Sequence, residues 1–232
     1  MSRLISCVLT AGAMLAAGSA LGAPTPERVR GTVGSISGDT LTIQTRDGST
    51  IPITVTGDTR YLQVVKSDLA RVAPNSYIGT ATKNVGDRSV ALEVVVFPAS
   101  MRGAGEGHYD WDRIPDTTLS GSATASSSMT NGTVSAATPA PAGGGGIAGT
   151  TMTNGTVGSA SEKGGAKQIT VTYQGGQQII LVPPTATIVT FRPGTAANLK
   201  SGVPVFIRAT REGNHVTAQS VAVGMNGLTP PM

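Results

Sequence analysis

Cysteine is almost missing from this 232-residue chain: the single one, Cys7, lies in an N-terminal region expected to be removed on export. What remains then has no thiol, which excludes a disulfide framework, a zinc–thiolate site and a cysteine nucleophile. Leu4-Ile5-Ser6-Cys7 matches a lipidation box only superficially, because it precedes the apolar stretch instead of following it. Aromatic residues are 3% of the chain, so any core must be built from Val, Ile, Leu and Ala. Only 13% of residues are charged, and the formal net charge is +4. Arg28, Arg30, Arg46, Arg60, Lys66 and Arg71 are dispersed among Thr and Asp and read as solvated surface. A nucleic-acid binder needs a clustered basic stripe with stacking aromatics, so nucleic acid is not an expected partner.

Long apolar runs are lacking too. The longest, Leu4 to Ala16, is shorter than the roughly 20 residues that span a bilayer. It follows Arg3 and precedes Gly18, Ser19, Ala20, Gly22 and Ala23, the order of an export signal. Residues 1–23 are therefore expected to be a signal peptide cleaved between Ala20 and Ala23, and no transmembrane segment is expected in the mature chain. The expected location is the periplasm or the cell surface.

Catalytic sets are missing as well. The chain has two histidines and no Gly-x-Ser-x-Gly elbow. Gly31-Thr32-Val33-Gly34 and Gly143 to Gly146 lack the Lys or helix start that a phosphate loop requires. Asp58 and Asp68 flank Arg60 and Lys66 as surface charges. No enzymatic activity is expected.

What the chain does have is Gly, Pro, Thr, Ser and Val, with 31 Gly and 14 Pro, a composition of short strands and turns. It also has an internal repeat. Gly31-Thr32-Val33-Gly34-Ser35 recurs as Gly155-Thr156-Val157-Gly158-Ser159, and Leu41-Thr42-Ile43 faces Ile169-Thr170-Val171. Gly48 aligns with Gly176, Ile51 with Ile179, Ile53 with Leu181 and Thr59 with Thr187; Leu69 and Pro74 match Leu199 and Pro204. Ala91 to Val96 matches Ala218 to Val223. Hydrophobic alternation predicts strands near residues 30–37, 40–46, 50–56, 77–83 and 89–97 in the first copy. A short helical turn capped by Ser67, with Asp68 at its positive end, is predicted between the third and fourth.

The expected fold class is all-β: two tandem small five-stranded OB-like barrels joined by a disordered linker, after the signal peptide. The modules are placed at 24–98 and 152–226, with a linker at 99–151 that is flexible from about residue 120, and a tail at 227–232. The linker reading rests on Ser120 to Gly149, rich in Ser, Ala, Thr, Pro and Gly. Within it, Ser128-Met129-Thr130-Asn131-Gly132-Thr133-Val134 returns as Thr151-Met152-Thr153-Asn154-Gly155-Thr156-Val157. The second occurrence is expected to start the second module, the first being a repeat slip, a decoy or a competitor for that strand.

Val29, Gly31, Val33, Leu41-Thr42-Ile43, Gly48, Ile51, Ile53, Val55, Thr59, Leu69, Ala91, Val94 and Val96 form a pattern. It resembles a bacterial exported domain-of-unknown-function family with tandem small barrel modules. That resemblance implies a β-barrel fold and carries over no catalytic residue.

The one polar constellation is Glu106-Gly107-His108-Tyr109-Asp110-Trp111-Asp112. In an extended segment Glu106, His108, Asp110 and Asp112 share one face, and Tyr109 and Trp111 the other. An imidazole with carboxylates makes a first shell for a divalent metal, the alternative being a solvated connector whose aromatics pack on a barrel. No other cofactor is expected. His215 reads as a surface loop residue. The function expected is non-enzymatic: an envelope binding or structural module whose partner is an envelope protein, a glycan or a small ligand. Divalent-metal binding through 106–112 is the alternative.

Overall fold

The computed structural model describes residues 23–118, 124–139 and 165–230. The expected signal peptide up to residue 22, Gly143 to Gly146, the second echo at 151–157 and the start of the expected second module lie outside these. Among the described residues the chain is all-β, with thirteen strands in one mixed sheet. In the first copy these are β1 (Thr25–Ser37), β2 (Thr40–Thr45), β3 (Thr50–Thr54), β4 (Arg60–Lys66), β5 (Tyr77–Val85) and β6 (Arg88–Val96). They are followed by β7 (Gly107–Pro115) and β8 (Thr124–Pro139). The second copy continues with β9 (Lys167–Tyr173), β10 (Gly176–Val182), β11 (Thr187–Pro193), β12 (Pro204–Glu212) and β13 (His215–Gly224). No helix among the described residues is long and apolar enough to cross a membrane.

The sheet does not divide into two discrete OB-like barrels, and this corrects the tandem-barrel expectation and the family resemblance built on it. Its strand order is β10-β9-β8-β5-β6-β11-β4-β13-β12-β1-β2-β3, with β7 on β8. Each copy's opening strands therefore pair with the closing strands of the other. β1 runs antiparallel to β12, with Val29 opposite Ile207, and β8 runs antiparallel to β5, with Asn131 opposite Gly79. Short parallel contacts, β10 with β6 at Ile180–Ser89 and Leu181–Val90 and β13 with β3 at Thr217–Thr54, add cross-links. Local periodicity identified most strands, but it carries no information about which copy supplies a strand's neighbour.

The exchange turns about β4 and β11, absent from the five-strand expectation. They pair antiparallel with Val64 opposite Phe191. These two positions are equivalent, since Gln63 pairs with Val223 of β13 as Thr190 pairs with Val96 of β6. The arrangement is that of an isologous dimer built into one chain.

The cores follow the exchange. One joins Val29, Val33, Leu41, Ile43 and Ile53 to Val205, Ile207, Val216, Val221 and Val223. A second joins Ile78, Val94 and Val96 to Val134, Ile169, Val171, Ile180 and Val182. A third, at the seam, gathers Tyr77, Phe97, Phe191 and Phe206 with Val64, Val95, Val189 and Ala222. All three phenylalanines thus gather where the copies meet.

The expected linker at 99–151 holds β7 and β8 in its described part. Composition misleads there because β8 is sandwiched between neighbours that supply backbone hydrogen bonds, and close packing favours small residues. Ser127, Thr130 and Asn131 are buried, and a Cβ on Gly132 would lie 2.3 Å from the Thr172 carbonyl oxygen. Gly31 does the same work in β1, its Cβ position lying 2.1 Å from the Gln44 oxygen. Both strands bulge just beyond, between Val33 and Ser35 and between Val134 and Ala136. The first echo, 128–134, is therefore the structural mate of β1, not a slip or decoy. One smaller expectation also changes. The turn after β4 is a 3₁₀ helix, Leu69–Arg71, capped by Asp68 and not Ser67. After β7, Asp116 is buried against Lys83 Nζ of β5 at 2.7 Å. Burial pushes the Asp116 carboxyl up, but the Lys83 ammonium and the Thr118 hydroxyl and amide outweigh it and hold it below the usual range.

Candidate functional site

β7 is the added strand of the first half, pairing only with β8. Its register runs from Gly107 opposite Asn131 to Pro115 opposite Thr124, broken between Trp111 and Ile114. Tyr109 and Trp111 share a face, with ring centroids 5.7 Å apart in an edge contact. The polar residues expected to share the other face do not converge. Glu106 precedes the strand and accepts the Gln174 amide at 3.0 Å. His108 Nδ1 lies 2.8 Å from Thr130 Oγ1, and its ring stacks on Tyr173 at 6.1 Å. Asp112 is drawn by the break in register to Arg30, whose Nη2 is 3.1 Å from Asp112 Oδ2. Asp110 stands opposite Ser128 in the ladder. No three His, Cys, Asp or Glu side chains among the described residues are grouped as a metal-ligand set. Glu106 before the strand and three residues along it are spread out, and no turn brings them back to one ion.

The aromatic face of β7 looks onto a cleft of about 400 Å³ at the seam between the halves. Phe97, Phe191, Phe206, Leu62 and Met101 make its apolar side, and Trp111, Tyr109 and Asn131 its β7–β8 side. Glu27 and the exposed Arg28 of β1, the exposed Arg208 of β12, and Gln219 and Ser220 of β13 line much of the remainder. Its size suits a small molecule, and the mix of apolar walls with few polar groups is that of a ligand site.

Arg28 and Arg30 were both expected on the solvated surface; Arg28 is exposed, whereas the structure corrects Arg30. The Arg30 side chain is only 11% exposed. Its guanidinium lies 5.0 Å from the Phe206 ring centre and 5.3 Å from that of Trp111. Its ion pair with Asp112 is not in hydrogen-bond alignment, so Nε and Nη2 have no hydrogen-bond partner among the described residues. Burial is the main cause of a pKa lowered to about 10, with Asp112 and Glu93 opposing it. Arg30 therefore remains a cation at neutral pH, at a desolvation cost. Arg28 stacks over Trp111 at 4.4 Å. Burial raises the Tyr109 hydroxyl pKa, and Arg28 and Arg208 pull against that rise. Nearby, burial, with Glu106 and Tyr109 adding to it, pushes Tyr77 up to about 12, and its hydroxyl donates to the Ala104 oxygen at 3.1 Å.

A larger groove of about 820 Å³ lies between residues 66–70 and 184–188. The Lys167 ammonium beside it is already committed to the Leu69 and Val72 carbonyl oxygens, at 3.0 and 3.1 Å. Among the described residues, no nucleophile–base pair is open to a substrate at the histidines. Thr130, the hydroxyl beside His108, is fully buried, and His215 sits at the β12–β13 hairpin opposite Glu212. The cleft was not legible in the sequence, because its residues come from β1, β4, β7, β8, β11, β12 and β13. One signal was available: Arg28 and Arg30 alternate with Val29 on a strand face that also has to pack.

Compared with known proteins, the chain matches no family model, no curated protein and no solved structure. The resemblance to a tandem-module exported family does not stand, because the two copies interleave in one sheet.

Proposed function

We propose that this chain is an exported, non-catalytic envelope module that holds a small apolar ligand in the seam cleft. Export rests on Arg3, the apolar stretch Leu4 to Ala16 and the small residues before Pro24. The observation that carries the binding reading is the cleft itself: walls of Phe97, Phe191, Phe206 and Trp111 beside cations, drawn from both copies. Keeping a charged Arg30 among these rings costs stability that an apolar residue would not, and groups retained at such cost concentrate at functional sites. The histidine surroundings favour binding over catalysis.

The test is titration of the purified protein with Nile red, an uncharged dye that brightens in apolar surroundings. Saturable one-site emission is expected, and Ala104→Trp, which fills the cleft from its wall, should abolish it. Dye binding that survives Ala104→Trp unchanged, or no binding at all, would overturn the reading.

A further inference from the structure

The cleft contains an electrostatic arrangement that the fold does not need. Arg28 and Arg208 are direct cross-strand partners on β1 and β12, and both line the cleft. Directly opposed residues of an antiparallel pair project side by side, and like charges there repel. Among the described residues no carboxylate pairs with either guanidinium. Glu27, which also lines the cleft, is engaged by Arg211 through Nε at 2.7 Å and Nη2 at 2.8 Å, and Asp112 by Arg30.

The internal repeat supplies a control. Alignment of Gly31 with Gly132, and of the bulge at Arg208–Ala209 with that at Ala81–Thr82, places Met129 where Arg28 stands and Ala81 where Arg208 stands. Ala81 and Met129 are likewise cross-strand partners. Both are buried, packed with Leu92 and Ile114 beneath β7. One half thus closes this position with an apolar pair, while the other opens it and installs two cations.

We propose that Arg28 and Arg208 form a clamp for the anionic head of the ligand, and that the ligand is an amphipathic carboxylate. This rests on the cleft being a ligand site. A carboxylate between the two guanidinia accepts charge-assisted hydrogen bonds from both and removes their repulsion. Its apolar body then lies against Phe97, Phe191, Phe206 and Leu62. Arg30, already neutralised by Asp112 and enclosed by rings, is left out of the clamp.

Trp111 is the sole tryptophan and lines the cleft, so its emission reports occupancy in the full chain. The probes are decanoate and 1-decanol, which share an apolar chain and differ in the anionic head. Decanoate is expected to shift Trp111 emission saturably and to bind about tenfold or more tighter than decanol, as expected for charge-assisted bonds. Arg208→Gln should erase that preference while leaving decanol affinity unchanged. The same substitution should leave the melting temperature of the ligand-free protein equal or higher, because it removes a repulsion. Equal binding of both probes, or a preference that survives Arg208→Gln, overturns the clamp and leaves the cleft reading intact. Failure of both probes to bind overturns the two together. A lower melting temperature for Arg208→Gln in the absence of ligand also overturns the clamp, because the pair would then be structural.

Discussion

Ile53 and Ile180 hold corresponding places in the two exchanged cores. Ile53 pairs with Leu41 across β2–β3, and Ile180 with Ile169 across β9–β10; all four are fully buried. Sequence alignment coupled Ile53 to Leu181 instead, and Leu181 is only half-buried. The error is one residue, and in a strand one residue exchanges the core face for the other. Its source is the hairpin. The β2–β3 turn runs from Gln44 to Thr50, whereas β9–β10 closes tightly with Tyr173 paired to Gly176, so the second turn is shorter. Ile53→Ala and Ile180→Ala should each cost about 2–5 kcal/mol, and Leu181→Ala clearly less. Urea unfolding of the three variants checks this. If Leu181→Ala cost as much as Ile180→Ala, the register of β10 would be wrong. Residue identities were therefore legible in kind, since a buried aliphatic was expected in that strand, but not in position.

At the scale of elements, the strands of local hairpins were the readable part, because alternation and turn residues act over a few positions. β4, β7 and β8 were not. β8 reads TASSSMTNGTVSAATP, with few large apolar residues, and its stability comes from pairing with β5, β7 and β9. Such a strand has no signature in its own composition, because its small side chains answer to neighbours distant in sequence. Two copies of Met-Thr-Asn-Gly-Thr-Val compete for attention, and the structure assigns β8 to the first. Gly132→Ala would force a Cβ against the Thr172 carbonyl, a backbone atom that cannot move aside without opening the β8–β9 ladder. A loss of about 1–3 kcal/mol or more is expected, as for other overpacking. Gly57→Ala, where a Cβ would meet nothing within 4 Å, is the control and should leave the melting temperature unchanged. Equal losses at both positions would mean that the close approach of β8 to β9 at Gly132 is wrong.

For the whole molecule, the exchange of strands changes what the duplication means. Two tandem modules would melt separately and tolerate separation. Here β1–β3 end against β12–β13, and β8–β10 against β5–β6, so each core is completed only by the other half. Residues 24–118 and 124–230, prepared as separate chains, should each lack a stable monomeric fold, because each exposes half of two cores. Mixed, they should assemble one to one and unfold in one cooperative transition, read by light scattering and by circular dichroism. A homodimer of either piece, which the isologous halves permit, would still require exchange. A cooperative, monomeric melt of either piece alone would contradict the interleaved sheet. The same mixing experiment reaches the cleft, because Arg28 and Trp111 belong to the first piece and Arg208 and Phe206 to the second. The decanoate-induced change in Trp111 emission should therefore be absent from the first piece and return only when the second is added. A response from the first piece alone would place the anion site on β1 and β7 without β12, and the arginine of the other half would have no part in it.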